Sequence, residues 1–286
     1  MATYQRGSAE LLSPSEAFTL VFHEWLPDDG AVQGDPIFCV HGLTRNGRDF
    51  DPLAKALADR GRRVICPDVA GRGESDWLTN HDEYNNPIYG QHLMGLLAHL
   101  GLGQVDWIGT SMGGLIGMGI ASLGPVPIKR LIINDVGPVV TATSLNRIGD
   151  YVGRDLSFES VGALEQHLRV IHAPFGDLSD EEWAHLAKYS ARIDGDRYRL
   201  AYDPAIAKAF EVKIEDDMAL WPIWDAIQSP TMVIRGGVSD LLTSDVAEQM
   251  TVRGPRAKLF EVPGVGHAPA LMDPAQISAI IEWLNV

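Results

Sequence analysis

Short apolar runs alternate with stretches of helical periodicity over the first 140 residues. Such runs predict strands that are buried on both faces, whereas apolar residues spaced three and four apart predict amphipathic helices. An earlier stretch, residues 17–25, alternates apolar and polar positions and predicts an antiparallel strand. The predicted buried strands are residues 36–40, 63–67, 105–109 and 129–135, and the predicted helices are residues 50–60, 88–100 and 115–122. This alternation indicates βαβ units, and hence an α/β protein with a mostly parallel central sheet flanked by helices.

The alternation stops after Gly137 and Pro138 and resumes near residue 231. Between these points the periodicity is helical, without a convincing buried strand, and Ser179 and Glu182 have the spacing of a capping box. The stretch is rich in both charged and aromatic residues, so we expect a solvated outer face and an apolar inner face. The sequence therefore predicts a core domain formed by residues 1–140 and 230–286, and a helical cap domain formed by residues 141–229.

Composition and charge narrow the class of protein. The 286 residues are 45% hydrophobic and 21% charged, which is typical of a globular chain. The net charge of −15 repels nucleic acids and anionic lipids, so we expect a small-molecule substrate and neither nucleic acid nor membrane as a partner. At long range the same charge disfavours strongly anionic substrates. Cys39 and Cys66 lie in apolar runs and no signal peptide is evident, which predicts reduced cysteines and a cytoplasmic location.

One motif carries most of the chemical information. Gly109, Ser111 and Gly113 form a Gly-x-Ser-x-Gly pattern between a predicted strand and a predicted helix. This spacing is typical of a very sharp turn, in which only glycines allow neighbouring backbones to pass closely. Such a turn exposes the serine hydroxyl and directs a helix N-terminus at an oxyanion formed beside it. The motif therefore predicts that Ser111 is a nucleophile.

A serine nucleophile needs a base, and the base needs a carboxylate to orient it. Among the nine histidines, His267 lies in a glycine-rich loop near the end of the chain, where the base is expected. Two aspartates at the ends of predicted strands can supply the carboxylate: Asp240, after the strand that follows the predicted cap, and Asp135, before the cap. We favour Asp240, because the order Ser111, Asp240, His267 then places each group after a different strand. Asp135 remains the alternative.

The loop after the predicted strand 36–40 is a candidate for the second part of an oxyanion hole. It contains His41, Gly42 and Leu43, and we expect the backbone amides of Leu43 and Met112 to be the donors. Two such donors in a dry site typically stabilise a transition state by several kcal/mol. We expect His41 itself to brace the loop by hydrogen bonding rather than to transfer a proton.

Together these segments resemble the α/β-hydrolase superfamily, in the branch of serine hydrolases with a helical cap inserted after the sixth strand. The resemblance covers essentially the whole chain and implies the α/β-hydrolase fold. It also implies that residues 71–75 form a structural turn without a catalytic role, and that catalysis needs no cofactor. No His-Glu-x-x-His motif or Cys/His cluster occurs in the sequence, so we predict no metal either. The landmarks are His41-Gly42, Pro67-Asp68, residues 71–75, residues 109–113, Asp240 and His267.

The resemblance also limits the chemistry. Haloalkane dehalogenases and epoxide hydrolases use an aspartate at the position of Ser111, so their reactions are excluded. We favour a carboxylic-ester hydrolase that acts on a small to medium, partly apolar substrate through an acyl-serine intermediate. One alternative is a carbon–carbon bond hydrolase acting on ring-cleavage dienoates, since relatives of that kind have a similar Ser-Met-Gly-Gly elbow. Another is a non-catalytic binding protein of the same fold.

Overall fold

Eight strands form one large sheet at the centre of the protein, in a computed structural model that describes residues 1–28, 30–124 and 127–286. The strands of the described residues are β1 (Thr3–Leu12), β2 (Ala17–Leu26), β3 (Ile37–Val40), β4 (Val64–Pro67), β5 (Val105–Thr110), β6 (Ile128–Asn134), β7 (Val139–Val140), β8 (Ala191–Asp194), β9 (Arg197–Leu200), β10 (Met218–Ala219), β11 (Thr231–Gly236) and β12 (Lys258–Val262). In the large sheet their order is β1-β2-β4-β3-β5-β6-β11-β12. β2 is antiparallel to β1 and to β4, and the remaining neighbours are parallel. The predicted mostly parallel sheet is confirmed.

Helices connect the strands and cover both faces of the sheet. They are α1 (Asp51–Ala58), α2 (Asn86–His99), α3 (Met112–Ala121), α4 (Ala142–Gly149), α5 (Val161–Ile171), α6 (Asp180–Ser190), α7 (Trp221–Asp225), α8 (Ser244–Val252) and α9 (Pro274–Leu284). Short 3-10 helices occur at Gly47–Phe50, His81–Glu83, Ala173–Phe175 and Pro204–Phe210. Local sequence explains the helix starts: the Asn85 side chain accepts a hydrogen bond from the Ile88 amide at the start of α2. At α6, Ser179 and Glu182 form the predicted capping box.

β3 and β4 are apolar without interruption because each packs against two hydrophobic clusters. In β3, Phe38 and Val40 belong to the cluster on one face of the sheet, whereas Ile37 and Cys39 belong to the cluster on the other. Both faces are therefore removed from water, and no position of the strand is left for a polar side chain. The described residues contain no helix whose length and hydrophobicity would let it cross a bilayer.

Residues 141–229, which we call the insert, separate β6 and β7 from β11. The insert is mostly helical, as predicted, with α4, α5, α6 and α7. It also contains a hairpin of β8 and β9, which the helical periodicity did not predict and which is not buried, and β10, which pairs with β7. A small hydrophobic cluster of its own includes Leu164, Leu168 and Trp183. Parallel strands direct the loops after β3, β5 and β6 to one edge of the sheet, the usual place for a binding site in such folds.

Candidate active site

The turn between β5 and α3 holds Ser111 in a conformation that non-glycine residues rarely adopt. Its φ is 51° and its ψ is −113°, and its side chain is partly accessible. The flanking glycines permit the turn: a Cβ on Gly109 would collide with the backbone of Gly113, and a Cβ on Gly113 would collide with the carbonyl group of Val40. The close backbone approach predicted from the spacing of the glycines is confirmed.

His267, in the loop between β12 and α9, contacts the serine. Its Nε2 lies 3.0 Å from the Ser111 Oγ, and its Nδ1 lies 2.9 Å from an oxygen of the Asp135 carboxylate. Because an ionised carboxylate can only accept, Nδ1 carries the ring proton and Nε2 is free to accept the serine proton. The predicted convergence of His267 on Ser111 is therefore present in the structure.

Asp135 follows β6 directly and is completely buried. Its Oδ1 accepts a hydrogen bond of 2.8 Å from the Gly236 amide, and its Oδ2 accepts one of 2.6 Å from the Ser239 hydroxyl. Both partners belong to the end of β11 and the loop after it. The carboxylate that faces His267 is thus fixed by groups from the neighbouring strand.

The prediction that Asp240 contacts His267 is wrong. The Asp240 side chain is 59% exposed and forms an ion pair of 2.9 Å with Arg147 in α4. The loop after β11 turns so that the preceding residue, Ser239, directs its hydroxyl inward and Asp240 points away. β6 lies directly beside β5, whereas β11 is one strand further from it, so the residue after β6 reaches the site first.

The loop after β3 lies beside Ser111, since a Cβ on Gly42 would be 3.8 Å from the Ser111 Cβ. In the described part of the chain, the backbone amides of Leu43 and Met112 donate to no other protein atom, as an oxyanion hole requires. His41 donates from Nδ1 to the Gly42 carbonyl at 2.7 Å and accepts at Nε2 from the Val69 amide at 3.0 Å. Burial lowers its pKa from 6.5 to about 4, so it is a neutral brace, as the sequence predicts.

A family model described as "Alpha/beta hydrolase family" matches residues 37–280. The chain belongs to the alpha/beta hydrolase family. This hydrolase is 41% identical over 298 residues to a 3-hydroxybutyrate-oligomer hydrolase of Cupriavidus necator, and the alignment covers 99% of both chains. It is 27% identical over 249 residues to the sn-1-specific diacylglycerol lipase ABHD11 of Mus musculus, covering 84% of this chain and 77% of the lipase.

Among solved structures, an alpha/beta hydrolase from Novosphingobium aromaticivorans is 36% identical, with a TM-score of 0.88. The match covers 100% of this chain and 99% of that one. The family assignment is therefore supported along the whole chain by sequence and by fold. The relatives support ester hydrolysis as the general class of reaction.

Arg72 of this alpha/beta hydrolase lies in the turn formed by residues 71–75, for which the family resemblance implies only a structural role. Its guanidinium is fully buried, donates to the Leu43 carbonyl at 2.9 Å, and lies 3.6 Å from the Met112 sulfur. Arg72 forms no ion pair with any described residue and instead lies over the Tyr89 ring, 4.6 Å from its centroid. The Gly-Arg-Gly-Glu-Ser pattern of the turn does not indicate that its arginine reaches the loop after β3.

Two cavities adjoin the site. The smaller, about 30 Å³, is lined by Gly42, Thr110 and Ala268, which neighbour the reactive residues, and by Phe175 of the insert. The larger, about 100 Å³, lies between the insert and the residues that follow Leu43. We call this larger space the insert cavity. Its polar lining residues are Thr44, Arg45, Tyr151, Arg154, His167, His172 and Tyr202.

Proposed function

We propose that the protein is a serine ester hydrolase in which Ser111 is the nucleophile, His267 the base and Asp135 the residue that orients it. One observation carries this proposal: the unbroken chain of hydrogen bonds, 3.0 Å from Ser111 to His267 and 2.9 Å from His267 to Asp135. A hydroxyl that is weakly nucleophilic at neutral pH becomes reactive when a positioned base removes its proton.

The reaction begins when the Ser111 Oγ attacks the ester carbonyl carbon and His267 Nε2 accepts the hydroxyl proton. The amides of Leu43 and Met112 donate hydrogen bonds to the oxyanion, and Asp135 stabilises the imidazolium. His267 then donates its proton to the leaving alcohol, which produces an acyl-serine. His267 deprotonates a water molecule that attacks the acyl carbon, and it then returns this proton to the Ser111 Oγ as the bond to the acyl group breaks and the acid is released.

Arg72 has a positioning role in this proposal. Its hydrogen bond to the Leu43 carbonyl fixes the orientation of the loop that supplies one oxyanion donor. Its buried positive charge also favours negative charge nearby, because no carboxylate among the described residues neutralises it. The turn formed by residues 71–75 thus contributes to the proposed site, because its arginine holds the loop that contains Leu43.

The substrate class follows from the relative in Cupriavidus necator, whose substrates are 3-hydroxybutyrate oligomers. Such oligomers are linear polyesters of a short hydroxy acid, so their cleavage is ester hydrolysis. We propose that this protein acts on esters of small to medium, partly apolar acids, including short hydroxy-acid oligoesters, and that the insert is a cap domain over the site.

The test is burst release of p-nitrophenol from p-nitrophenyl butyrate, together with fluorophosphonate labelling. We expect a burst and labelling that both disappear in Ser111→Ala. The matched control is Ser122→Ala, since the Ser122 hydroxyl only donates to the Gly119 carbonyl at the end of α3. Unchanged turnover in Ser111→Ala would remove Ser111 from the mechanism. Faster cleavage of a dienol ring-cleavage product than of any ester would favour carbon–carbon hydrolysis instead.

A further inference from the structure

The insert cavity contains cationic and donor groups but no acidic lining residue. Its lining residues include Arg45 and Arg154, and none is an aspartate or glutamate, although the protein as a whole has a net charge of −15. The local charge of the cavity is therefore opposite to that of the molecule. A cavity of this composition is complementary to a negatively charged group.

The two arginines differ in how their charges are compensated. Arg45 binds both carboxylate oxygens of Asp49, at 2.7 and 2.6 Å, and donates to the Ser190 hydroxyl. Arg154 donates through Nε to the Asp150 carbonyl and forms no ion pair within the described residues. The neighbouring Asp155 carboxylate is bound by Arg199. Within the described part of the chain, the guanidinium of Arg154 thus has no anionic partner, and its terminal nitrogens have no protein acceptor.

Two buried side chains supply further donors. The Tyr202 hydroxyl accepts from the Gly153 amide, so its own proton is left without an acceptor among the described residues. His172 is 9% exposed, and neither ring nitrogen hydrogen-bonds to any described group. Burial lowers the pKa of His172 well below 6.5, with smaller contributions from Arg45, His167 and His267, so the ring is neutral and keeps one N–H donor. Both side chains line the insert cavity, so these donors are available to a ligand there.

The insert cavity is also adjacent to the reactive residues. Thr44 and Arg45 directly follow the oxyanion donor Leu43, and His172 is close enough to His267 for the charge of one to affect the other. The His172 ring stacks on Phe175, with centroids 4.3 Å apart, and Phe175 lines the smaller cavity. A ligand in the insert cavity therefore lies beside the oxyanion loop.

We propose that the insert cavity binds a carboxylate carried by the ester substrate, with Arg154, Tyr202 and His172 as its donors. This inference rests on the proposed ester hydrolysis and specifies its substrates as esters that bear a free acid. A hydroxy-acid oligoester has such a carboxylate at the end of its alcohol part, next to the ester that is cleaved. Arg154 is exposed and lines the cavity, so it lies where the charged group would enter.

Two substrate pairs test the proposal. 3-Acetoxybutyrate and 3-acetoxybutanamide differ only in a charge on the alcohol part, and monoethyl succinate and its amide differ in a charge on the acyl part. We expect kcat/KM for 3-acetoxybutyrate to exceed that for its amide about tenfold. A preference in either pair that depends on Arg154 supports the carboxylate site, and the pair concerned identifies the carrier of the charge. Equal kcat/KM values within both pairs would overturn it.

Three substitutions assign the preference to residues. Arg154→Gln should abolish the preference for acid over amide, and Tyr202→Phe should reduce it about threefold. The matched control is Arg60→Gln, because Arg60 is also exposed, follows the end of α1, does not line the insert cavity, and among the described residues donates to the Ala56 carbonyl. It should leave the preference unchanged. A preference that survives in both Arg154→Gln and Tyr202→Phe contradicts the assignment.

A binding measurement separates this inference from the proposed function. Calorimetric titration of the Ser111→Ala protein with the acid and the amide reports affinity without turnover. We expect the acid to bind about tenfold more tightly, and the double variant with Arg154→Gln to bind both alike. Absence of ester hydrolysis by the unmodified protein contradicts the proposed function alone, whereas equal affinities in Ser111→Ala contradict the carboxylate site alone.

Discussion

The core loops and the insert face the same site but are built differently. In the core, main-chain groups provide most of the contacts around the candidate site: Gly236 binds Asp135, the Leu43 and Met112 amides lie beside Ser111, and backbone groups occupy both nitrogens of His41. The Ser239 and Arg72 side chains add hydrogen bonds to Asp135 and to the Leu43 carbonyl. The insert presents side chains with unfilled donors, such as Tyr202 and His172.

This difference separates two requirements of an enzyme, a fixed geometry for the reaction and an adaptable surface for the substrate. Main-chain groups cannot be changed by substituting a side chain, so a constellation fixed by them stays the same while the sequence varies. Side-chain donors in an inserted segment can be exchanged without disturbing the sheet. We infer that the core determines the reaction and the insert determines the substrate.

The largest contrast is expected between two aspartates. Asp135→Asn should lower kcat/KM for p-nitrophenyl butyrate about a thousandfold or more, because an amide favours the wrong tautomer of His267. Asp240→Asn, which removes only an exposed ion pair with α4 of the insert, should change it less than about twofold. Steady-state measurement of kcat/KM for both variants shows which aspartate orients His267. A larger loss in Asp240→Asn would reverse the assignment made here.

A second contrast concerns glycines in helices. Gly113→Ala introduces a Cβ against the Val40 carbonyl and should destabilise the protein by about 3 kcal/mol or more. Gly162→Ala, in α5 of the insert, meets only the Ser160 hydroxyl at 3.7 Å and should stabilise it by about 0.5 kcal/mol. Urea unfolding measures both changes in free energy. Similar effects for the two variants would remove the proposed distinction between core and insert.

A third prediction tests the neutral brace in the core. Because the folded pKa of His41, about 4, lies below the value of ~6.5 expected for the unfolded chain, the unfolded state binds a proton at higher pH. The contribution of His41 to the free energy of unfolding is therefore complete above about pH 6.5 and is lost as the pH falls towards 4. Between pH 7 and 5 we expect this group to lower the free energy of unfolding by about 2 kcal/mol.

Urea titrations at the two pH values measure this loss. His41→Asn should reduce the pH dependence by that amount, whereas His99→Gln, at an exposed position in α2, should retain it. An unchanged pH dependence in His41→Asn would show that His41 does not carry the acid sensitivity.

The smallest effect is expected from conservative exchange of two arginines. Arg72→Lys should lower kcat about tenfold with little change in KM, because lysine cannot reproduce the fixed bond to the Leu43 carbonyl. Arg169→Lys in the insert keeps its ion pairs with Glu165 and Asp180 and should leave both constants unchanged. A change in KM alone for Arg72→Lys would argue for a role in substrate binding rather than in positioning Leu43.

Periodicity predicted the buried part of the fold well and the exposed part less well. β3 is predicted because its residues are apolar without interruption, and β5 because apolar residues outnumber the single buried charge of Asp106. β1 is not predicted, because most of its side chains are exposed at the edge of the sheet and the sequence is correspondingly polar. The hairpin of β8 and β9 is not predicted either, because it forms a separate, half-buried sheet whose sequence contains alternating charged residues rather than an apolar run.

The site was predictable where one segment determines the geometry. The elbow requires its two glycines locally, so Ser111 could be identified from five residues. The carboxylate that contacts His267 could not be chosen from the sequence, because Asp135 and Asp240 both follow strands. Only the conformation of the turn after β11 directs Asp240 away from His267. Arg72 was overlooked because its contact with Leu43 joins loops that are distant in the chain.

The order of the reactive residues along the chain has a consequence for biosynthesis. Ser111 and Asp135 emerge from the ribosome well before His267, which lies 132 residues after Asp135 in the chain. A nascent polypeptide therefore carries the proposed nucleophile and the proposed orienting carboxylate before it carries the proposed base. Synthesis must pass residue 267 before a molecule of this protein can carry out the proposed attack on an ester, and a product that ends before this residue lacks the proposed base.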